Sequence, residues 1–134
     1  MLTQTIPISM TLLAGLGVLA VALSVTAGVR RAKSGVMLGH GDDVRLHAAM
    51  RAQANLIEVT PFALLLLGVL EASGLATWAI ATMAVALFAA RVLHAVTFVT
   101  GNGGPGIGRA ISAATTTLVT LIASVLAFRQ QMGA

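Results

Sequence analysis

Four residues, His47, Arg51, Asn55 and Glu58, follow one another at spacings of four, four and three. On an α-helix those spacings keep all four side chains on one face. A base, a guanidinium, an amide and a carboxylate on one face can grip a small molecule that carries both signs of charge. A second set, Arg91 and His94, shares a face by its spacing of three. Metal chemistry does not fit these residues: His40, His47 and His94 lack metal-ligand spacing, no HExxH is present and the chain has no cysteine. Serine hydrolysis lacks its GxSxG elbow.

The surroundings make this polar face unusual. Of the 134 residues, 57% are hydrophobic and 9% charged, with a mean hydropathy of +0.96. Soluble domains carry about 25% charged residues. Four apolar stretches, about 6–29, 43–71, 75–98 and 109–128, are each long enough to cross a ~30 Å hydrocarbon core. The expected architecture is an all-α, integral-membrane four-helix bundle forming one domain over 1–134. The first stretch is uncharged, exceeds a signal peptide's apolar core and has no basic residue before Arg30, so it reads as a retained helix. Within it, Ala20, Ser24 and Gly28 make a small-residue stripe suited to close helix approach.

Eight Lys and Arg against four Asp and Glu give a net charge of +4. No aromatic-interleaved basic patch supports nucleic-acid binding. Arg30, Arg31, Lys33 and Arg45 flank the first loop and Arg109 follows the third, whereas the second loop has no basic residue. The positive-inside rule then places loops one and three in the cytoplasm and both termini outside. Asp42 or Asp43 is placed to cap the second helix. Pro61 removes a backbone donor within that helix and is expected to kink it. The Glu71–Gly74 turn is so short that spans two and three must be antiparallel neighbours, and Glu71 itself reads as a solvated end residue. The glycine-rich 100–108 loop lacks the Walker A lysine and reads as a connector.

A polar face inside a bilayer must look into the bundle or a wet cavity. Arg51 and Glu58 are about 10 Å apart along the helix, which predicts separate partners for each, with Arg91 facing Glu58. On the simplest alternative, Arg51, Asn55, Glu58 and Arg91 are a buried network that only fixes the bundle.

The segment Arg51-Ala-Gln-Ala-Asn55-Leu-Ile-Glu58-Val-Thr-Pro61, with Gly41-Asp42 before it and Arg91-Val-Leu-His94 on the third span, resembles the signature of the MAPEG family, the membrane-associated proteins in eicosanoid and glutathione metabolism. The resemblance covers about positions 30–110. It implies homotrimers of four-helix protomers, with glutathione bound between subunits near the cytoplasmic face by Arg51, Asn55, Glu58, Arg91 and His94. Arginines grip carboxylates through paired hydrogen bonds, a carboxylate holds an ammonium and an amide both donates and accepts. Catalytic members use an arginine near the start of helix four to stabilise the glutathione thiolate, and Arg109 is the nearest match. Arg30 or Arg31 is an alternative ligand-gripping residue.

Relatives often carry a tyrosine one turn beyond the His94 position. This chain has Phe98 there and no tyrosine anywhere. A hydroxyl donor is thus missing from that position, a departure that counts against catalysis and above all against eicosanoid synthesis. The resemblance implies a glutathione transferase or peroxidase-like protein of a bacterial inner membrane, acting on a hydrophobic electrophile among membrane lipids. The alternatives are a non-catalytic glutathione- or lipid-binding member, and a small transporter or purely structural membrane protein.

Overall fold

The computed structural model describes residues 5–133. Its four helices are α1 (Pro7–Ser34), α2 (Val44–Ala72), α3 (Thr77–Thr100) and α4 (Ile107–Met132). All four are long and apolar enough to cross a membrane. α2 and α3 form the centre of the bundle. α1 packs on both of them from one side and α4 from the other, and α1 and α4 do not meet. Successive helices run in opposite directions, so the first and third loops share one end, here called the basic end.

The helices reach further than the apolar stretches alone predict. α1 continues through Arg30, Arg31 and Lys33 before Gly35, at φ 67°, closes it with its N–H on the Arg31 carbonyl. Cations favour a helix C-terminus, so the charged turn extends the helix instead of ending it. Asp43 caps α2 by accepting from the Arg45 and Leu46 amides at 2.8 and 3.0 Å. Pro61 lies inside α2, which remains a single α-helix through it.

Glu71 departs from its expected role. Its carboxylate accepts from the Ile8 and Ser9 amides at 2.9 and 2.8 Å. Those are first-turn donors that have no partner within α1, at the end where the helix dipole favours negative charge. Glu71 therefore ties the end of α2 to the start of α1.

Between helices in a bilayer, close packing and polar contacts replace the hydrophobic drive. Leu12, Leu16 and Leu23 of α1 meet Leu56, Ala63 and Leu67 of α2 and Ile80, Leu87 and Ala95 of α3 in a continuous core that reaches Val119 and Ala123 of α4. Two glycines set the closest approaches. A Cβ on Gly15 would lie 2.9 Å from the Phe88 ring, and one on Gly108 would lie 2.6 Å from Thr97 Cγ2. Thr97 cannot readily swing aside, because its hydroxyl donates to the Leu93 carbonyl at 2.8 Å.

Gly108 thus seats the start of α4 against the last turns of α3. Gly108→Ala is expected to destabilise the protein by about 1–3 kcal/mol through overpacking. Adding Thr97→Ser, which removes the clashing methyl and keeps the hydroxyl, should recover most of that loss. Thermal unfolding of the two single variants and the pair in detergent reads the coupling directly.

Candidate functional site at the basic half of the bundle

Glu58 is the central residue of α2, about 21 Å from either end of the helix. Arg51 lies two turns nearer the basic end. Their side chains meet, with Arg51 Nη2 3.6 Å from Glu58 Oε2. This corrects the expectation that they are too far apart. Seven residues return a helix almost to the same azimuth, and two long side chains leaning toward each other span the rise. It is the one ion pair among the described residues. The pair is half open, its side chains 48% and 56% exposed, on a face of α2 that the protomer leaves uncovered.

Arg91 does not face Glu58. Its guanidinium lies on the inner side of α2, donating through Nη1 to Asn55 Oδ1 at 3.0 Å and through Nη2 to the Ser112 carbonyl at 3.5 Å. The residue is only 2% exposed, and no carboxylate pairs with it among the described residues. The chain has four acidic residues in all. Glu58 is paired with Arg51, Glu71 holds α1, Asp43 caps α2 and Asp42 lies in the first loop.

His94 sits one turn further along α3, also buried. Its Nδ1 is 3.1 Å from Ser112 Oγ, whose own proton goes to the Arg109 carbonyl at 2.9 Å. A hydroxyl has one proton, so His94 Nδ1 is the donor, and in the neutral ring Nε2 is then the acceptor. That Nε2 and the Nε of Arg91 are both buried without a hydrogen-bond partner among the described residues. An unmet donor beside an unmet acceptor in a buried layer fits a polar ligand or ordered water. Sequence patterning alone did not single out Ser112, which is fully buried. The only signal is a spacing of four through Ser112, Thr116, Thr120 and Ser124, which looks like ordinary helix-surface hydroxyls. Each of the last three donates to the carbonyl four residues back.

Arg51 also lines a cavity of about 470 Å³ that opens at the basic end. The other walls include His40, His47, Asp42, Phe98 and Gly103. The His40 and His47 rings meet edge to face, with centroids 4.0 Å apart. Among the described residues no three His, Asp or Glu side chains converge in a way that holds a metal.

Arg109 reaches this cavity through two of its walls, Phe98 and Gly103. Its guanidinium stacks over the Phe98 ring at 4.1 Å and donates to the Gly103 and Gly104 carbonyls. Asn102, at φ 50°, and Gly103, at φ 78°, turn the third loop so that these carbonyls point at the guanidinium. Arg30 and Arg31 lie outside the cavity. Arg30 donates to the Arg45 carbonyl at 2.7 Å, and Arg31 holds the first loop through the Val36 and Gly39 carbonyls at 3.1 and 3.0 Å. Arg51, Asn55, Glu58, Arg91 and His94 therefore form one cluster around α2. Arg109 borders it, and Arg30 and Arg31 shape the loop that carries His40.

A buried guanidinium without a carboxylate is a poor stabiliser, and an apolar replacement of similar volume is often neutral or better. Arg91→Met is expected to leave the thermal midpoint of the ligand-free protein unchanged or raised. A fall of more than several degrees in detergent would instead identify Arg91 as a structural tie.

No curated protein and no solved structure matches the chain. The family model of the MAPEG family matches residues 9–129, which takes in α2, α3, nearly all of α1 and α4 and every residue of the cluster. With that match, and with four membrane-length helices carrying the cluster between them, the chain belongs to the MAPEG family.

Proposed function

We propose that this protein binds glutathione on the α2 cluster and presents its sulfur to a hydrophobic electrophile. The observation that carries this reading is the uncompensated charge of Arg91. A cation buried in the membrane half of a bundle, backed by Asn55 and with its Nε donor unmet, is suited to the carboxylate of an entering ligand, and the free His94 Nε2 beside it to a donor group of the same ligand. Glutathione offers two carboxylates and one ammonium. Arg51 and Arg91 would take carboxylates, Glu58 the ammonium, and Asn55 either kind of group.

The open Arg51–Glu58 pair supports assembly. Half-exposed charges facing lipid at mid-membrane are costly, so a neighbouring copy is expected to cover them and complete the site, as a homotrimer. The basic flanks of the first and third loops favour a cytoplasmic mouth. The bacterial inner membrane is the proposed location.

Glutathione would supply a thiol nucleophile. The chain's task is then to hold the tripeptide and favour the ionised sulfur. A guanidinium within a few ångströms of the sulfur does that by stabilising its negative charge. Arg109 is the proposed residue for that role. A second reading, binding without catalysis, is favoured by one observation: Arg109 is already engaged by two glycine carbonyls and the Phe98 ring.

Calorimetry on the detergent-purified protein separates these readings from a structural one. Saturable glutathione binding is expected, and Arg51→Ala should weaken it at least tenfold, the loss of a charge-assisted pair of hydrogen bonds. No binding by folded protein at millimolar glutathione would sink the proposal.

The role of Arg109 is read by the ultraviolet absorbance of bound thiolate. Arg109→Gln should abolish the thiolate signal while leaving affinity within about threefold, because the interaction is with the ionised sulfur alone. Binding without any thiolate signal in the native protein would favour the non-catalytic reading.

A further inference from the structure

The basic end of α1 holds a second concave site, separate from the α2 cluster. Arg30, Lys33 and Ser34 from the last turns of α1, with Asp43 and Arg45 from the start of α2, line a pocket of about 340 Å³. Three of these residues are cations and one is acidic. The acid is already engaged, since Asp43 Oδ1 accepts the Arg45 and Leu46 amides. Arg30 is held on the rim by the Arg45 and Val99 carbonyls, at 2.7 and 3.5 Å. The Lys33 ammonium and the Arg45 guanidinium are exposed and have no ion-pair partner among the described residues. The pocket therefore presents net positive charge with two uncommitted donor groups.

Its position says which anion it takes. Val18, Val21, Val25 and Val29 are all exposed on α1, and their spacings of three, four and four make one stripe. Lys33 stands four residues beyond Val29 and continues it. The stripe of small residues, Ala20, Ser24 and Gly28, lies about 100° further round the helix. Close helix contact needs small residues, so that second face suits a packed helix and the branched valines suit lipid chains. A molecule lying along the valines with its anionic group at Lys33 would have one apolar and one negatively charged end, at the depth of the membrane headgroups.

We propose that the Arg30–Lys33–Arg45 pocket binds the phosphate of an anionic phospholipid whose acyl chain lies along Val18–Val29. The site does not depend on glutathione binding. Basic residues at a membrane boundary also orient a chain during insertion, and that role alone requires no lipid selectivity.

Native mass spectrometry of the detergent-solubilised protein, titrated with phosphatidylglycerol or phosphatidylcholine, tests the proposal. The native protein should retain phosphatidylglycerol preferentially. Lys33→Gln combined with Arg45→Gln should weaken that retention roughly thirtyfold, about fivefold for each basic side chain near the membrane surface. Lys33→Arg with Arg45→Lys should retain the preference, and glutathione affinity should be the same in both double variants. Equal retention of the two lipids by the native protein would overturn the proposal. So would unchanged selectivity in the neutral variant, or loss of selectivity in the charge-conserving one. Displacement of phosphatidylglycerol by millimolar inorganic phosphate would mean a free-anion site instead of a lipid site. A change in subunit number in the neutral variant, with lipid retention unchanged, would assign the pocket to a neighbouring copy.

Discussion

Arg91 sets the central constraint on this bundle. Its guanidinium is almost fully buried between α2, α3 and α4, and its partners are an amide oxygen and a backbone carbonyl instead of a carboxylate. Desolvating a charge without a counter-charge is among the least favourable events in a membrane, so everything around it must be arranged to tolerate it. Asn55 is held inward to meet it. The first turns of α4 come close enough for the Ser112 carbonyl to face it, and that approach requires glycine at 108. The same serine then orients His94. Packing and polarity therefore meet at one place, where the residues that close the bundle also line its candidate site.

The cluster has an inner and an outer layer on neighbouring sides of α2, with Asn55 turned about 40–60° from Arg51 and Glu58. Asn55, Arg91, His94 and Ser112 lie inside, within one protomer. Arg51 and Glu58 lie outside, both half exposed, with Glu58 at the middle of a membrane-length helix and Arg51 two turns nearer the basic end. The inner layer is complete except for two unmet nitrogens. The outer layer is an ion pair in need of cover. An interior that lacks an anion and an exterior that lacks a wall are what the proposed ligand and the proposed neighbouring copy would each complete.

The ends of the bundle are held by a further set of polar contacts. Glu71 joins α2 to the first turn of α1 by accepting two amides that no residue of α1 could satisfy. At the basic end, Arg30 and Arg31 spend their donors on backbone carbonyls of α2, α3 and the first loop. Arg109 does the same for the third loop and stacks on Phe98. Charged residues here serve as loop ties as well as topology signals, because carbonyls freed at helix ends near the membrane boundary need donors.

The amino-acid sequence by itself determined the four spans, their antiparallel order, a cap at Asp42 or Asp43 and the neighbouring azimuths of Arg51, Asn55 and Glu58 on the second helix. Those follow from hydropathy over about 20 residues and from the helical period, both local properties. It also sufficed to place the chain near its family through one eleven-residue motif. Which residue meets which was decided only by tertiary structure. Arg51 reaches Glu58, Arg91 turns to Asn55, Glu71 seeks α1, and Ser112 joins the cluster from a stripe of hydroxyls that looks like ordinary helix surface. Helix spacing gives azimuth along one element. It carries no information on the rotation and depth of neighbouring helices, and those set the partners. Small residues fixed these quantities here, with Gly15 admitting Phe88 and Gly108 admitting Thr97, through contacts of a few ångströms between residues far apart in the chain.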